Sequence, residues 1–360
     1  MKQQRINKVL KKMKELELSQ LIVTSPASLY YLIGKWISAG ERMIALYLNT
    51  DGECKLLVNR LFPIEEDLGI DIIWFNDSDD SVKILSEVIK KGEVLGIDKY
   101  WPAHFLIRLM DMNVAKGFVN SSNIIDELRM VKDEEEKELM KKSSEINDRV
   151  MKKFCSKLKE GDSEKYLARL LIELYEEEGA EGISFDPIVA IGANAADPHH
   201  EPDNTKLKKG DSIVIDIGGV YKHYCSDMTR TVFFGAQPND DDREVYEIVK
   251  EANLRAISKV KEGAKFSEID AAARDYITEK GYGEYFTHRT GHSIGLETHD
   301  KGDVSSVNNE EVKAGMIFSI EPGIYLTNKF GVRIEDLVLV TKDGCEILNS
   351  VSKEITVINN

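Results

Sequence analysis

The sequence predicts an α+β protein in which a mixed α/β N-terminal domain precedes a larger domain made of two related halves. Three observations carry that prediction. Up to about Asn120, short apolar runs alternate with helical periodicity. A segment then repeats: Lys157-Leu-Lys-Glu-Gly161 recurs as Lys259-Val-Lys-Glu-Gly263, and in both copies a helical stretch leads at the same interval to a second glycine, Gly179 or Gly281. Finally, four carboxylates and a histidine are set into short apolar strand patterns between Asp216 and Glu335.

In chain order, Ile6, Val9, Leu10, Met13 and Leu16 recur at helical spacing and predict an amphipathic first helix. Leu21 to Thr24 reads as a buried strand, and Ser25-Pro26 supplies an N-cap and a first-turn proline for the next helix. Met43 to Leu48 and Lys55 to Val58 flank Asp51-Gly52, a hairpin signal. Strands at Ile70 to Phe75 and Val94 to Ile97 alternate with helices at Ser81 to Lys90 and Pro102 to Met112. His104, isolated on a helical pattern, is read as structural. The polar turn Asn120-Ser-Ser-Asn123 predicts a boundary, dividing the chain into domains 1–122 and 123–360. A long helix from about Asp133 to Leu158 follows, with Asp133-Glu-Glu-Glu136 as solvated acids complementing its dipole. Beyond it, each copy of the repeat reads as two helices and then strands, so two α-α-β-β halves can face one cleft.

Composition narrows the function. The 360 residues are 42% hydrophobic and 31% charged, ordinary globular values. A net charge of −15 offers no field for nucleic acid or for an anionic membrane. Cys54, Cys155, Cys225 and Cys345 show no CxxC spacing, which predicts reduced thiols and a cytoplasmic location. The basic N-terminus lacks the apolar core of a signal peptide, and no run approaches the ~20 apolar residues of a membrane span.

The chemistry gathers in five segments. Ser212 to Ile217 and Tyr224 to Phe234 read as two strands flanking a bend at Gly218-Gly219, which lets Asp216 and Asp227 approach each other, with Asp227, Thr229 and Thr231 on one face. Glu321 stands in Ile320-Glu321-Pro-Gly, and Arg333 and Glu335 share a face of Val332-Arg-Ile-Glu335. Four converging carboxylates in apolar strands repel one another unless cations neutralise them. Oxygen-rich ligation with one imidazole suits two divalent ions, Mn²⁺, Co²⁺, Zn²⁺ or Fe²⁺, in a hydrolytic site. Six of the seven histidines fall between His199 and His299. His292 is the candidate ligand, and His199, His288 and His299 are candidates for proton and oxyanion chemistry. His200 and His223 are read as structural.

These residues resemble a known family. Asp197-Pro-His199-His200, Asp216-Ile-Gly-Gly, Ser226-Asp227-Met-Thr-Arg-Thr, His288-Arg-Thr-Gly-His292, Glu321-Pro-Gly-Ile-Tyr325 and Arg333-Ile-Glu335-Asp336 together look like the proline-specific metallopeptidases, Xaa-Pro dipeptidase (prolidase) and aminopeptidase P. The resemblance spans the chain and implies a creatinase-like N-terminal domain before a "pita-bread" catalytic domain. It implies Asp216, Asp227, His292, Glu321 and Glu335 as ligands of two metal ions, most simply Mn²⁺, with Asp227 and Glu335 bridging. Glu321 would also carry the proton of the attacking water. His199 and His299 would line the substrate site as catalytic residues, His288 would contact the proline side, and Tyr325 and Arg333 would complete the substrate-binding shell. Ser293 stands where relatives commonly have glycine. The expected activity is cleavage of an N-terminal residue from proline, in a dipeptide or, alternatively, in a longer peptide, by a homodimer. Methionine aminopeptidase does not fit the N-terminal domain, creatinase does not fit the metal set, and a silent binding protein of the same fold would be expected to have lost a ligand.

Overall fold

Burial on both faces of short Val, Ile and Leu runs organises the N-terminal unit, which ends at Arg129 in the computed structural model of residues 2–359. Its six-stranded sheet runs, in spatial order, Asp71–Phe75, Cys54–Asn59, Ala45–Asn49, Gln20–Val23, Val94–Ile97 and Gly117–Asn120. The pairing is mixed: a tight turn at Gly52, with φ of 100°, joins the antiparallel pair Ala45–Asn49 and Cys54–Asn59, and the helix Ala103–Asp111 crosses between the parallel pair Val94–Ile97 and Gly117–Asn120. Ser25 caps the helix Pro26–Ile33, accepting from the Ser28 amide as its spacing predicts. The helix expected to reach Lys90 stops at Ser86. Buried Gln20 accounts for this by taking both the amide and the carbonyl of Lys90, at 2.8 and 2.9 Å, away from any helical ladder. The run Asn120–Asn123 opens a further helix, Ser122–Met130, with the Asn120 side chain accepting from the Ser122 amide.

The second unit begins at Met130 and contains the two halves that the repeat implies. In the first, helices Glu134–Lys157 and Glu164–Glu177 pack on strands Ile188–Ile191, Ser212–Ile217 and Met228–Phe234 around Phe154, Leu171, Tyr175 and Ile215. In the second, helices Asp240–Lys259 and Phe266–Glu279 cover strands Ile317–Ile320, Phe330–Arg333 and Asp336–Val340 around Val249, Phe266, Phe318 and Val338. The repeated glycines mark equivalent turns. Gly161 and Gly263 both adopt left-handed backbone, φ 89° and 83°, and donate to Leu207 and Val312 respectively. This is the pseudo-twofold architecture that the sequence predicts.

Two local expectations differ. Glu136 is buried rather than solvated, because it both closes the capping box with Asp133 and accepts the Tyr224 hydroxyl at 2.9 Å. The predicted strand Tyr224 to Phe234 is interrupted at Ser226-Asp227, and the hairpin turns at Lys222-His223 (φ 47° and 68°), not at Gly218-Gly219. The glycine pair serves close approach instead: a Cβ on Gly218 would stand 2.2 Å from the Ser226 carbonyl oxygen, and one on Gly219 would meet the Tyr175 ring.

Candidate metal centre and active site

Asp216 and the strand Met228–Phe234 are brought together by antiparallel register, Thr229 opposite Asp216. Asp227 sits at the strand break, free of the ladder's alternation. Glu321 follows the strand Ile317–Ile320, and Glu335 lies between Phe330–Arg333 and Asp336–Val340. There the Glu335 amide donates to the Thr229 carbonyl and so joins the two halves. His292 comes from the two-residue strand Gly291–His292, its amide donating to Ser319 Oγ at 3.0 Å. A Cβ on Gly291 would collide with the Ser319 carbonyl, so only glycine lets this strand approach.

All five proposed ligands line one cavity of about 540 Å³, with His199, His288, His299 and Arg333 also on its wall. Each of three buried carboxylates presents one oxygen that finds no hydrogen-bond partner: Asp216 Oδ1, Asp227 Oδ1 and Glu335 Oε1. The other oxygens of two are held. Arg333 donates to Asp216 Oδ2 at 2.7 Å, and the Thr229 hydroxyl donates to Glu335 Oε2 at 2.8 Å. Glu321 is less enclosed and accepts from Ser319 Oγ at 3.1 Å.

His292 Nδ1 faces the Ser293 carbonyl at 3.3 Å and therefore carries the proton. Its Nε2 lone pair points among acceptors, 3.6 Å from Asp227 Oδ2 and 3.5 Å from Glu321 Oε1, beyond hydrogen-bond reach. Burial, reinforced by Arg289, lowers its pKa to about 4, so the imidazole is neutral. Burial raises Asp227 and Glu335 well above the usual carboxylate range, with Glu335 next for Asp227 and Glu321 next for Glu335. Atoms of Asp227, His292 and Glu335 lie within 4.8 Å of one another. Unpaired buried oxygens of this kind are costly, and a bare imidazole nitrogen cannot relieve them. Divalent cations fit the donor set.

The histidines and the surrounding shell are also in place. The His299 ring stands edge-on to His292 with centroids 4.3 Å apart, and burial, then His292, lowers its pKa to about 4. His288 Nδ1 donates to the Arg289 carbonyl at 2.7 Å, so its Nε2 accepts from the Tyr325 hydroxyl at 2.8 Å. Tyr325 in turn accepts from Arg333 at 3.0 Å. His199 is exposed at the cavity wall, whereas His200 is tied to Glu164 at 2.7 Å and His223 forms the hairpin turn. Ser293 is accommodated because Gly302 packs against it: a Cβ there would stand 2.6 Å from Ser293 Oγ.

Sequence reasoning passed over several supporting groups. Thr229, noted only for its face, clamps Glu335 and also accepts from Arg333 Nε at 3.1 Å. Asn147 and Asn253, one from each long helix, donate to the carbonyls of Ile217 and Ile320, which adjoin Asp216 and Glu321. For Asn253, its position in an otherwise apolar helix face is the available signal; Asn147 shares its face with buried Ser143 and Ser144 and offers none.

The geometry agrees with what comparisons with known proteins find. The model of "Metallopeptidase family M24" matches residues 138–342, and that of the "Creatinase/Prolidase N-terminal domain" matches residues 5–131. An uncharacterized peptidase of Staphylococcus aureus is 36% identical over 357 residues, covering 97% of this chain and 99% of its own. Prolidase from Thermococcus sibiricus superposes with a TM-score of 0.92 at 37% identity, with 99% of each chain covered. X-Pro aminopeptidase from Thermotoga maritima does so with a TM-score of 0.84 at 31% identity, covering 96% of this chain and all (100%) of that one. Family match, full-length likeness and a converging donor set give one result: the chain belongs to metallopeptidase family M24, has its pita-bread fold and is a metallo-exopeptidase.

Proposed function

We propose that the protein is a dinuclear-metal Xaa-Pro dipeptidase, with Mn²⁺ as its metal, acting in the cytoplasm as a homodimer. The observation that carries the metal reading is the set of three buried carboxylate oxygens without partners, on residues that line one cavity with a neutral His292. Asp216, Asp227, His292, Glu321 and Glu335 would hold the ions, with Asp227 and Glu335 shared. When bound, the ions supply Lewis-acid chemistry, lowering the pKa of a water and polarising the scissile carbonyl.

The chain's own residues do the rest. Glu321, the ligand carboxylate with the most solvent access, accepts the water's proton and returns it to the proline nitrogen as the bond breaks. Proline's amide has no N–H, so the leaving secondary amine needs that proton and the site needs no acceptor for an amide hydrogen. Neutral His299 donates to the developing oxyanion, and His199 lines the same cavity. His288 has both ring nitrogens engaged, so it presents a fixed ring to the proline side rather than moving a proton. Arg333 orients Asp216 and Tyr325.

The dipeptide reading rests on a cavity sized for a short substrate and on likeness to a prolidase at full length. Free cysteines are consistent with a reducing compartment. Among the described residues, no helix is long and apolar enough to cross a membrane. The deciding experiment assays Mn²⁺-loaded protein against Xaa-Pro, Xaa-Pro-Yaa and Met-Ala peptides side by side, with and without chelator. Dipeptide preference lost on chelation is expected. Preference for Xaa-Pro-Yaa would make the protein an aminopeptidase P, and full activity without metal would end the metal reading.

A further inference from the structure

A second cluster with metal-ligand spacing lies outside the site: Glu164, His200 and Asp203 have ligand atoms within 4.8 Å of one another. Its hydrogen bonds show a different purpose. Glu164 is fully buried, and its two oxygens accept from four donors. Oε1 takes the Ile191 amide at 2.8 Å and the Asn194 side chain at 2.9 Å. Oε2 takes His200 Nε2 at 2.7 Å and the Asp203 amide at 2.9 Å. A carboxylate with every lone-pair direction occupied has no need of a cation.

Those four donors span residues 191–203, the segment that carries His199. Glu164 stands in the first turn of the helix Glu164–Glu177, where the dipole favours its charge, and that turn binds the segment further. The amides of Glu164 and Lys165 donate to the carbonyls of Thr205 and Asp203 at 3.1 and 3.0 Å. On the other side of His199, the Pro198 carbonyl accepts from Arg333 at 3.4 Å. His199 is thus an exposed residue on a non-repetitive segment, between one neighbour fastened to Arg333 and another fastened to Glu164.

We infer that Glu164 is a positioning residue that acts through His200 and the 191–203 backbone to hold His199 against the active-site cavity. The inference rests on the reading of His199 as a substrate-site residue. It deepens that reading by assigning the placement of an exposed histidine's backbone to a buried anchor outside the cavity lining. A misplacement of about 1 Å can lower turnover about 10²-fold.

The test is a double-variant cycle in the full-length, Mn²⁺-loaded enzyme, using Glu164→Ala, His199→Ala and the pair. Glu164→Ala is expected to lower kcat/KM for an Xaa-Pro dipeptide about 10²-fold with active-site metal content unchanged. On the His199→Ala background the same change is expected to lower it less than about 3-fold, because residues acting as a unit are not additive. Glu164→Gln, which keeps an acceptor for the Ile191 amide, is expected to recover part of the loss. Hydrogen exchange gives a reading that does not depend on activity: the Ile191 and Asp203 amides should lose protection in Glu164→Ala while the strand Ser212–Ile217 keeps it. Additive losses would overturn the proposal, as would unchanged exchange at both amides or loss of a third bound metal ion in Glu164→Ala. If wild-type protein cleaves no Xaa-Pro peptide, the functional reading fails, while the exchange result still decides whether Glu164 anchors the segment.

Discussion

Thr229→Val removes one hydroxyl from the middle of the site while keeping the shape of a fully buried side chain. That hydroxyl donates to Glu335 Oε2 at 2.8 Å and accepts from Arg333 Nε at 3.1 Å, so it sets which oxygen of Glu335 is turned toward the cavity. A hydrogen bond to a charged group contributes about 1.5–3 kcal/mol. Each 1.4 kcal/mol, roughly, is tenfold in a dissociation constant. Metal affinity should therefore fall roughly 10- to 100-fold, the range expected when a group supporting a metal ligand is removed. The backbone contact from the Glu335 amide to the Thr229 carbonyl remains, so the fold should survive. Calorimetric titration of demetallated protein with Mn²⁺ measures the effect, and Thr229→Ser, which keeps the hydroxyl, should bind within a fewfold of wild type. Wild-type affinity in Thr229→Val, or an equal loss in both variants, would refute the assigned role.

Three further outcomes follow from the same geometry. Glu335→Ala should lose metal and activity together, whereas His299→Ala should lose turnover and keep its metal; elemental analysis beside kcat checks both, and the reverse pattern would overturn the ligand assignment. The metal-free chain should lose stability as pH rises. Asp227 and Glu335 have folded pKa values above their unfolded ones, so the folded state binds more protons across that window and the slope is negative. His292 and His299, lowered to about 4, act in the opposite sense but only below their unfolded value of 6.5. Thermal melts of chelated protein isolate the carboxylate effect by comparison with Glu335→Gln: the Tm of wild type relative to that variant should fall as pH rises and metal should largely remove the trend, whereas a relative rise would contradict the carboxylate shifts. Sedimentation should give a homodimer, and a monomer at micromolar concentration would remove the assembly proposal.

Much of the site is legible in the sequence because charge inside an apolar strand pattern is rare and conspicuous. Asp216 within Ile-Val-Ile-Asp-Ile and Glu335 after Val-Arg-Ile stand out without any structure, and the repeated Lys-x-Lys-Glu-Gly turn discloses the two halves. Helix ends with strong local signals, such as Ser25-Pro26 and Asp133 with Glu136, fall where capping chemistry predicts. The failures have a common cause, which is competition from residues distant in sequence. Gln20 ends a helix 70 positions away, and Tyr224 draws Glu136 out of solvent from 88 positions away.

By itself the sequence determined which side chains are candidates to hold cations, since four carboxylates and His292 stand in apolar strand patterns. Only the tertiary structure decided how each one is presented. Arg333 reaches Asp216 across 117 residues and Thr229 reaches Glu335 across 106, and these contacts choose the oxygen that is held and the oxygen that is left bare. Glu164 carries no sequence signal at all, because an acidic residue in the first turn of a helix is ordinary capping chemistry until a loop folds onto it. Residue type is a local property, whereas the desolvation and pairing that turn a carboxylate into a ligand or an anchor arise only when distant strands and loops close around it.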